Sequence, residues 1–162
     1  MVNKMIKKVK IEINKKDINF NEIFLLYKKA NWWYKEDGLK KINKIKYIKK
    51  IFEGSFCYAI ASYNNQIIGF ARVISDGIAD AYIQDVFVLP EFQNKKIGIN
   101  LLLTLLKYLI KKKIYWISLI AQPGAENFYK KLNFIEMKKF IPMQLNIKHY
   151  LKKSRVNKSK EK

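Results

Sequence analysis

The chain has 162 residues, 49% of them hydrophobic and 14% aromatic, which is enough apolar material for one domain with a buried core and too much for a disordered chain. A single cysteine, Cys57, excludes an internal disulfide and a cysteine-based zinc cluster, and a single histidine, His149, excludes most mechanisms built on a buried imidazole. The net charge is +20, and only Arg72 and Arg155 among the 33 basic residues are arginine. The surface therefore favours anionic ligands and repels polycations, but it lacks the planar forks that read nucleic-acid bases.

Taken in chain order, the N-terminal residues hold no continuous apolar segment, so no signal peptide is expected and a cytoplasmic chain is. Lys8 to Asn14 alternates polar and apolar residues and reads as a strand. Asn19 or Asn21 caps a short helix carrying Phe20, Phe24 and Tyr27, followed by the aromatic cluster Asn31-Trp32-Trp33-Tyr34. Leu39, Ile42, Ile45, Ile48 and Ile51 recur every three residues with lysines between them and predict an amphipathic helix that stops at Glu53-Gly54-Ser55. Cys57 to Tyr63 and Gln66 to Ser75 are strands joined by an Asn64-Asn65 hairpin turn, Asp76-Gly77 makes a second turn, and Ala81 to Leu89 is the next strand. Ile97 to Ile110 reads as a long helix, interrupted by Asn100, Thr104 and Lys107 and shorter than the roughly 20 residues a bilayer requires. Tyr115 to Ala121 predicts a buried strand, Gly124 to Leu132 a helix opened by Pro123, and Phe134 to Leu145 one or two further strands. Residues 148–162 are rich in lysine and predict a flexible basic tail. The expected class is a mixed α/β (α+β) domain.

Two stretches carry chemistry. Val86-Phe87-Val88-Leu89-Pro90-Glu91-Phe92-Gln93-Asn94-Lys95-Lys96-Ile97-Gly98-Ile99 runs from a strand through a proline turn into a helix. A helix N-terminus offers unpaired N–H groups and a positive dipole end, which suit a pyrophosphate; Gly98 admits close approach and Lys95 and Lys96 add charge. This segment resembles the acetyl-CoA-binding motif of the GCN5-related N-acetyltransferases (GNAT), with Lys96 where that family usually carries a glycine. The stretch Ala125-Glu126-Asn127-Phe128-Tyr129-Lys130-Lys131-Leu132-Asn133-Phe134 is similar to a second motif of the family, with Asn133 replacing the usual glycine. Ile68 to Gly77 looks like the strand pair upstream of it, so the resemblance covers residues 56 to 145.

The resemblance implies one acetyltransferase domain over residues 1–147, with a central, mostly antiparallel twisted sheet and helices on both faces. It implies acetyl-CoA as co-substrate and no metal, with transfer of acetyl directly to an amine. The edge at Val86, Phe87 and Val88 would pair with the pantetheine arm. Gln93, Asn94, Lys95, Lys96, Ile97, Gly98, Ile99 and Asn100 would hold the pyrophosphate, with Asn127, Tyr129 and Lys131 also on the cofactor side. Tyr129 matches the tyrosine that protonates the leaving thiolate. For the general base the residues leave Asp85, Asp76, Asp80 and Glu126 open; Asp85 ranks first because it stands in an apolar strand, where burial raises a carboxyl pKa. Trp32, Trp33, Tyr34, Arg72, Asp76 and Tyr82 are candidates for the acceptor side. The charge favours an anionic amine, glucosamine 6-phosphate as the specific example, with an arylalkylamine or a protein N-terminus or lysine as alternatives. A lysine-rich nucleic-acid-binding protein is the competing class; it leaves both motifs without a role. No membrane and no specific nucleic acid are expected as partners, and a homodimer is left open.

Overall fold

The computed structural model describes residues 8–32, 41–146 and 150. The chain divides into two compact units, Met1–Leu132 and Asn133–Lys162. Trp33, Tyr34, Leu39 and His149 lie outside the described residues, as does the tail from residue 151.

In the first unit the elements are β1 (Val9–Ile13), α1 (Phe20–Lys29), α2 (Lys41–Glu53), β2 (Cys57–Tyr63), β3 (Gln66–Ser75), β4 (Asp80–Val88), α3 (Ile97–Lys111), β5 (Trp116–Ser118) and α4 (Glu126–Lys130), with a 3-10 turn at Pro90–Phe92. The five strands lie in the order β1-β2-β3-β4-β5. The first three pairings are antiparallel and β4–β5 is parallel, the crossover being made by α3.

Local chemistry accounts for the element ends. Asn19 Oδ1 accepts from the N–H of Asn21 at 3.1 Å and caps α1, one of the two caps the sequence allowed. Glu22 in the first turn of α1 accepts from the N–H of Ile67 at 2.7 Å, which ties that helix to β3. Asn64 and Asn65 both have positive φ, 47° and 62°, so the β2–β3 hairpin closes through a turn whose twist matches its strands.

The sheet is covered on both faces. Ile60, Ile67 and Phe70 pack with Ile23, Leu26 and Tyr27 of α1 and Ile48 and Phe52 of α2. Ala59 and Ala61, alternating with Ile60, point the other way, where α3 lies against β2 and β3. Leu101, Leu102, Leu105 and Leu109 of α3 are fully buried, each contributing about 1.5–3 kcal/mol by leaving water. Among the described residues no helix is long and apolar enough to cross a membrane.

Three expectations are corrected. The strand at Tyr115–Ala121 is only Trp116–Ser118, and it is an edge strand with Tyr115 72% and Trp116 55% exposed. Pro123 does not open a helix. It sits beside Gly124 (φ 85°) in a turn closed by the N–H of Ala125 on the carbonyl of Gln122 at 3.0 Å, so α4 begins only at Glu126. In the second unit no strand forms among residues 133–146. Two backbone bonds there close locally, from Lys138 N to Glu136 O and from Phe140 N to Met137 O, and Pro142 has no N–H for a ladder.

Candidate active site

An open strand edge defines the site. Pairing between β4 and β5 covers only Asp80–Trp116, Ala81–Ile117 and Tyr82–Ser118, while β4 continues to Val88. Beyond Tyr82, no strand among the described residues pairs with the side of β4 that faces β5, which leaves its backbone N–H and C=O groups open there. On its other side β4 stays paired with β3 to Val88, and the N–H of Leu89 extends that ladder to Ile68 O at 2.9 Å. Val86, Phe87 and Val88, expected on the cofactor strand, lie on this edge.

Gly69, which the sequence reading passed over, makes the β3–β4 approach feasible. A Cβ at Gly69 would meet the carbonyl oxygen of Phe87 at 2.8 Å and Val88 at 3.0 Å. Isolated glycine in a strand is the signal that would have found it.

The edge runs into the loop before α3. Gln93 donates from Nε2 to the carbonyl of Val88 at 2.9 Å, and Lys95 donates from Nζ to the carbonyl of Glu91. Both side chains hold the loop itself. Asn94 and Lys96 are left-handed, with φ of 57° and 60°, and Lys96 is the N-cap of α3 without a side-chain cap bond. The glycine that the family usually places at this position fits that backbone better than lysine does. The first intrahelical bond is from the N–H of Asn100 to Lys96 O at 2.9 Å, so the N–H groups of Ile97, Gly98 and Ile99 have no acceptor within the helix. Lys96 is exposed beside them. That arrangement fits a pyrophosphate. Gly98 serves packing as well as approach: a Cβ there would meet the Phe128 ring of α4 at 3.1 Å.

Tyr129 follows Phe128, their rings in edge contact at 5.0 Å. Burial, and then the neighbouring Tyr82, raise the Tyr129 phenol above its ordinary pKa, so it is protonated at neutral pH. Tyr82 is the last residue of β4 paired with β5, at the point where the two strands part. Asn127 and Lys131 are exposed.

The acidic candidates are placed otherwise than expected. Asp85 is not in plain apolar surroundings. Its Oδ2 accepts from Arg72 Nε at 2.5 Å and from the Tyr27 hydroxyl at 2.7 Å. Arg72 is 7% exposed and faces Asp85 rather than an open acceptor site. Asp76 accepts from the N–H groups of Ile78 and Ala79 at 2.8 and 3.0 Å, which organises the β3–β4 turn and lowers its pKa. Glu126 accepts from the N–H of Gly124 at 3.2 Å. Trp32 forms the aromatic wall beside β4, with ring centroids 5.7 Å from Phe87 and 5.6 Å from Tyr27. Its partner Trp33 lies outside the described residues.

The chain is similar to known proteins in sequence and in fold. Residues 31–145 match the family model described as acetyltransferase (GNAT) domain. An uncharacterized N-acetyltransferase, ycf52, of Porphyra purpurea is 32% identical over 126 residues, covering 76% of this chain and 68% of that protein. The ycf52 protein of Gracilaria tenuistipitata var. liui is 38% identical over 95 residues, covering 56% of this chain and 52% of that one, so the chain spans about half of that relative's length. Among solved structures, the aminoglycoside N-acetyltransferase AAC(6')-Iy in complex with CoA superposes with a TM-score of 0.65 at 17% identity, covering 85% of this chain and 95% of that one; it is a likeness of fold.

Proposed function

The chain belongs to the GNAT family of N-acetyltransferases, and from that premise we propose that it takes acetyl from acetyl-CoA to a primary amine carried on an anionic small molecule, an amino-sugar phosphate such as glucosamine 6-phosphate being the specific acceptor. The observation that carries the donor half is the open edge of β4 leading straight into an uncapped helix N-terminus. The net charge of +20 supports the acceptor half, since it draws anions and repels polyamines. Arg72 has no part in acceptor binding in this reading; exposed lysines meet the acceptor's charge.

Acetyl-CoA supplies a thioester carbonyl open to attack and a thiolate that leaves. The chain's own groups do the rest. The backbone of Val86–Val88 holds the pantetheine arm by strand-like pairing, and the N–H groups of Ile97, Gly98 and Ile99 with Lys96 hold the pyrophosphate. The Tyr129 hydroxyl delivers its proton to the departing sulfur. With Asp85 engaged by Arg72 and Tyr27, and Asp76 by backbone N–H groups, the amine releases its proton to water. A reducing aqueous compartment, the cytoplasm in this reading, suits buried Cys57, whose thiol burial pushes up to about 12.

The test is an acetyl-CoA consumption assay across glucosamine 6-phosphate, glucosamine, an arylalkylamine, spermidine and lysine peptides. Glucosamine 6-phosphate should lead, with its KM rising with salt. A preference for glucosamine or spermidine would overturn the anionic acceptor, and a preference for peptides would move the assignment to a protein amine. Tyr129→Phe should lower kcat by about 10²-fold with CoA affinity intact. Wild-type turnover in that variant would remove Tyr129 from the chemistry.

A further inference from the structure

Between the pairs Phe70–Phe87 and Arg72–Gln84, β3 advances by two residues and β4 by three, so β4 carries one extra residue at Asp85–Val86. This is a β-bulge, and Asp85 sits in it with φ of 53°, a backbone that side-chain-bearing residues avoid. Such a conformation persists only where its surroundings determine it. Here the surroundings are specific. The Asp85 carboxylate accepts from Arg72 Nε, one strand away, and from the Tyr27 hydroxyl on α1, 58 residues distant in sequence. Tyr27 is 5% exposed and its ring stacks on Phe70 at 5.2 Å and 13°, so the hydroxyl is held in place by packing. Asp85 and Arg72 are nearly buried, where a charge without its partner is costly.

We infer that Tyr27, Asp85 and Arg72 form a brace that fixes the bulge and thereby sets the position of the open backbone edge at Val86–Val88; the inference deepens the acetyltransferase reading and rests on its placement of the thioester along that edge. Tyr27 and Arg72 are positioning residues, acting through Asp85. The brace also links α1, on the side of Trp32, to the strand that receives the acetyl donor.

Tyr27→Phe tests this cleanly, because it removes one hydroxyl and retains the ring packing. In hydrogen-exchange measurements on the ligand-free protein, amides of Asp85–Leu89 should exchange about tenfold faster while those of α3 are unchanged. Turnover with acetyl-CoA should fall about tenfold while KM for acetyl-CoA stays within about twofold. Asp85→Ala should lower turnover further, and adding Tyr27→Phe to it should change nothing more, because the acceptor of the hydroxyl is already gone. Wild-type exchange at the bulge in Tyr27→Phe would overturn the brace, and so would faster exchange with unchanged turnover. If wild-type protein neither binds CoA nor consumes acetyl-CoA, the enzymatic reading fails; faster bulge exchange in the ligand-free variant would still uphold the brace.

Discussion

Among the left-handed residues of the site, Asp85 and Lys96 are built in opposite ways. At the β4 bulge, the Asp85 side chain (φ 53°) is nearly buried and engaged by Arg72 and Tyr27. At the start of α3, Lys96 (φ 60°) is exposed, and its side chain makes no capping bond. The first bend has a side chain that determines it, whereas the second has one that its backbone merely tolerates. The difference follows from what each must do. The bulge has to hold a fixed backbone position, while the loop has to leave N–H groups and a positive charge accessible to an anion.

Removing the brace should produce the largest effect. Arg72→Met leaves the Asp85 carboxylate nearly buried without its cation, and should destabilise the fold by about 3–5 kcal/mol. Urea denaturation checks this, and a loss below about 1 kcal/mol would show that water or another group already meets Asp85. Next in size is Gly69→Ala. The added Cβ would lie 2.8 Å from the carbonyl oxygen of Phe87, a backbone atom that moves only with the strand. A cost of about 1–3 kcal/mol is expected, together with lower turnover on acetyl-CoA, because the open edge shifts with Phe87. The same change at the other bend should be milder. Gly98→Ala meets the tip of the Phe128 ring at 3.1 Å, and alanine gains helix propensity of about 1 kcal/mol. Its net stability change should stay within about 1 kcal/mol on a melting curve.

The sequence made one bend legible and concealed the other. The proline turn, Gln93 and Gly98 are contiguous, so the loop into α3 could be read directly, and the asparagines marked left-handed backbone at Asn64, Asn65 and Asn133. The brace is assembled from residues 27, 72 and 85, which share no local pattern. Asp85 therefore read as a lone carboxylate in an apolar strand and Arg72 as an anion receptor. Only the antiparallel pairing of β3 with β4, and α1 packing on their face, turn those two charges into partners. The strands expected over Phe134–Leu145 failed for a related reason: β propensity needs a ladder partner, and Pro142 with its locally bonded neighbours offers a poor one.

The smallest effect is also the one that separates the two bends most sharply. Lys96→Gly relieves a left-handed lysine, worth about 1–2 kcal/mol, and removes a cation from a helix N-terminus. Against this stands the greater chain entropy that glycine loses on folding, about 0.5–1 kcal/mol. The variant should be more stable by about 0.5–1 kcal/mol in urea, while its affinity for CoA falls several-fold through the lost charge. Asp85→Gly relieves the same kind of backbone strain, yet it should destabilise by about 3 kcal/mol or more because Arg72 stays buried without a counter-charge. Opposite signs for the same substitution at the two positions are the expected outcome. If both variants gain stability, Asp85 does not hold the bulge; if both lose it, Lys96 makes an interaction at the α3 N-terminus that outweighs its backbone strain.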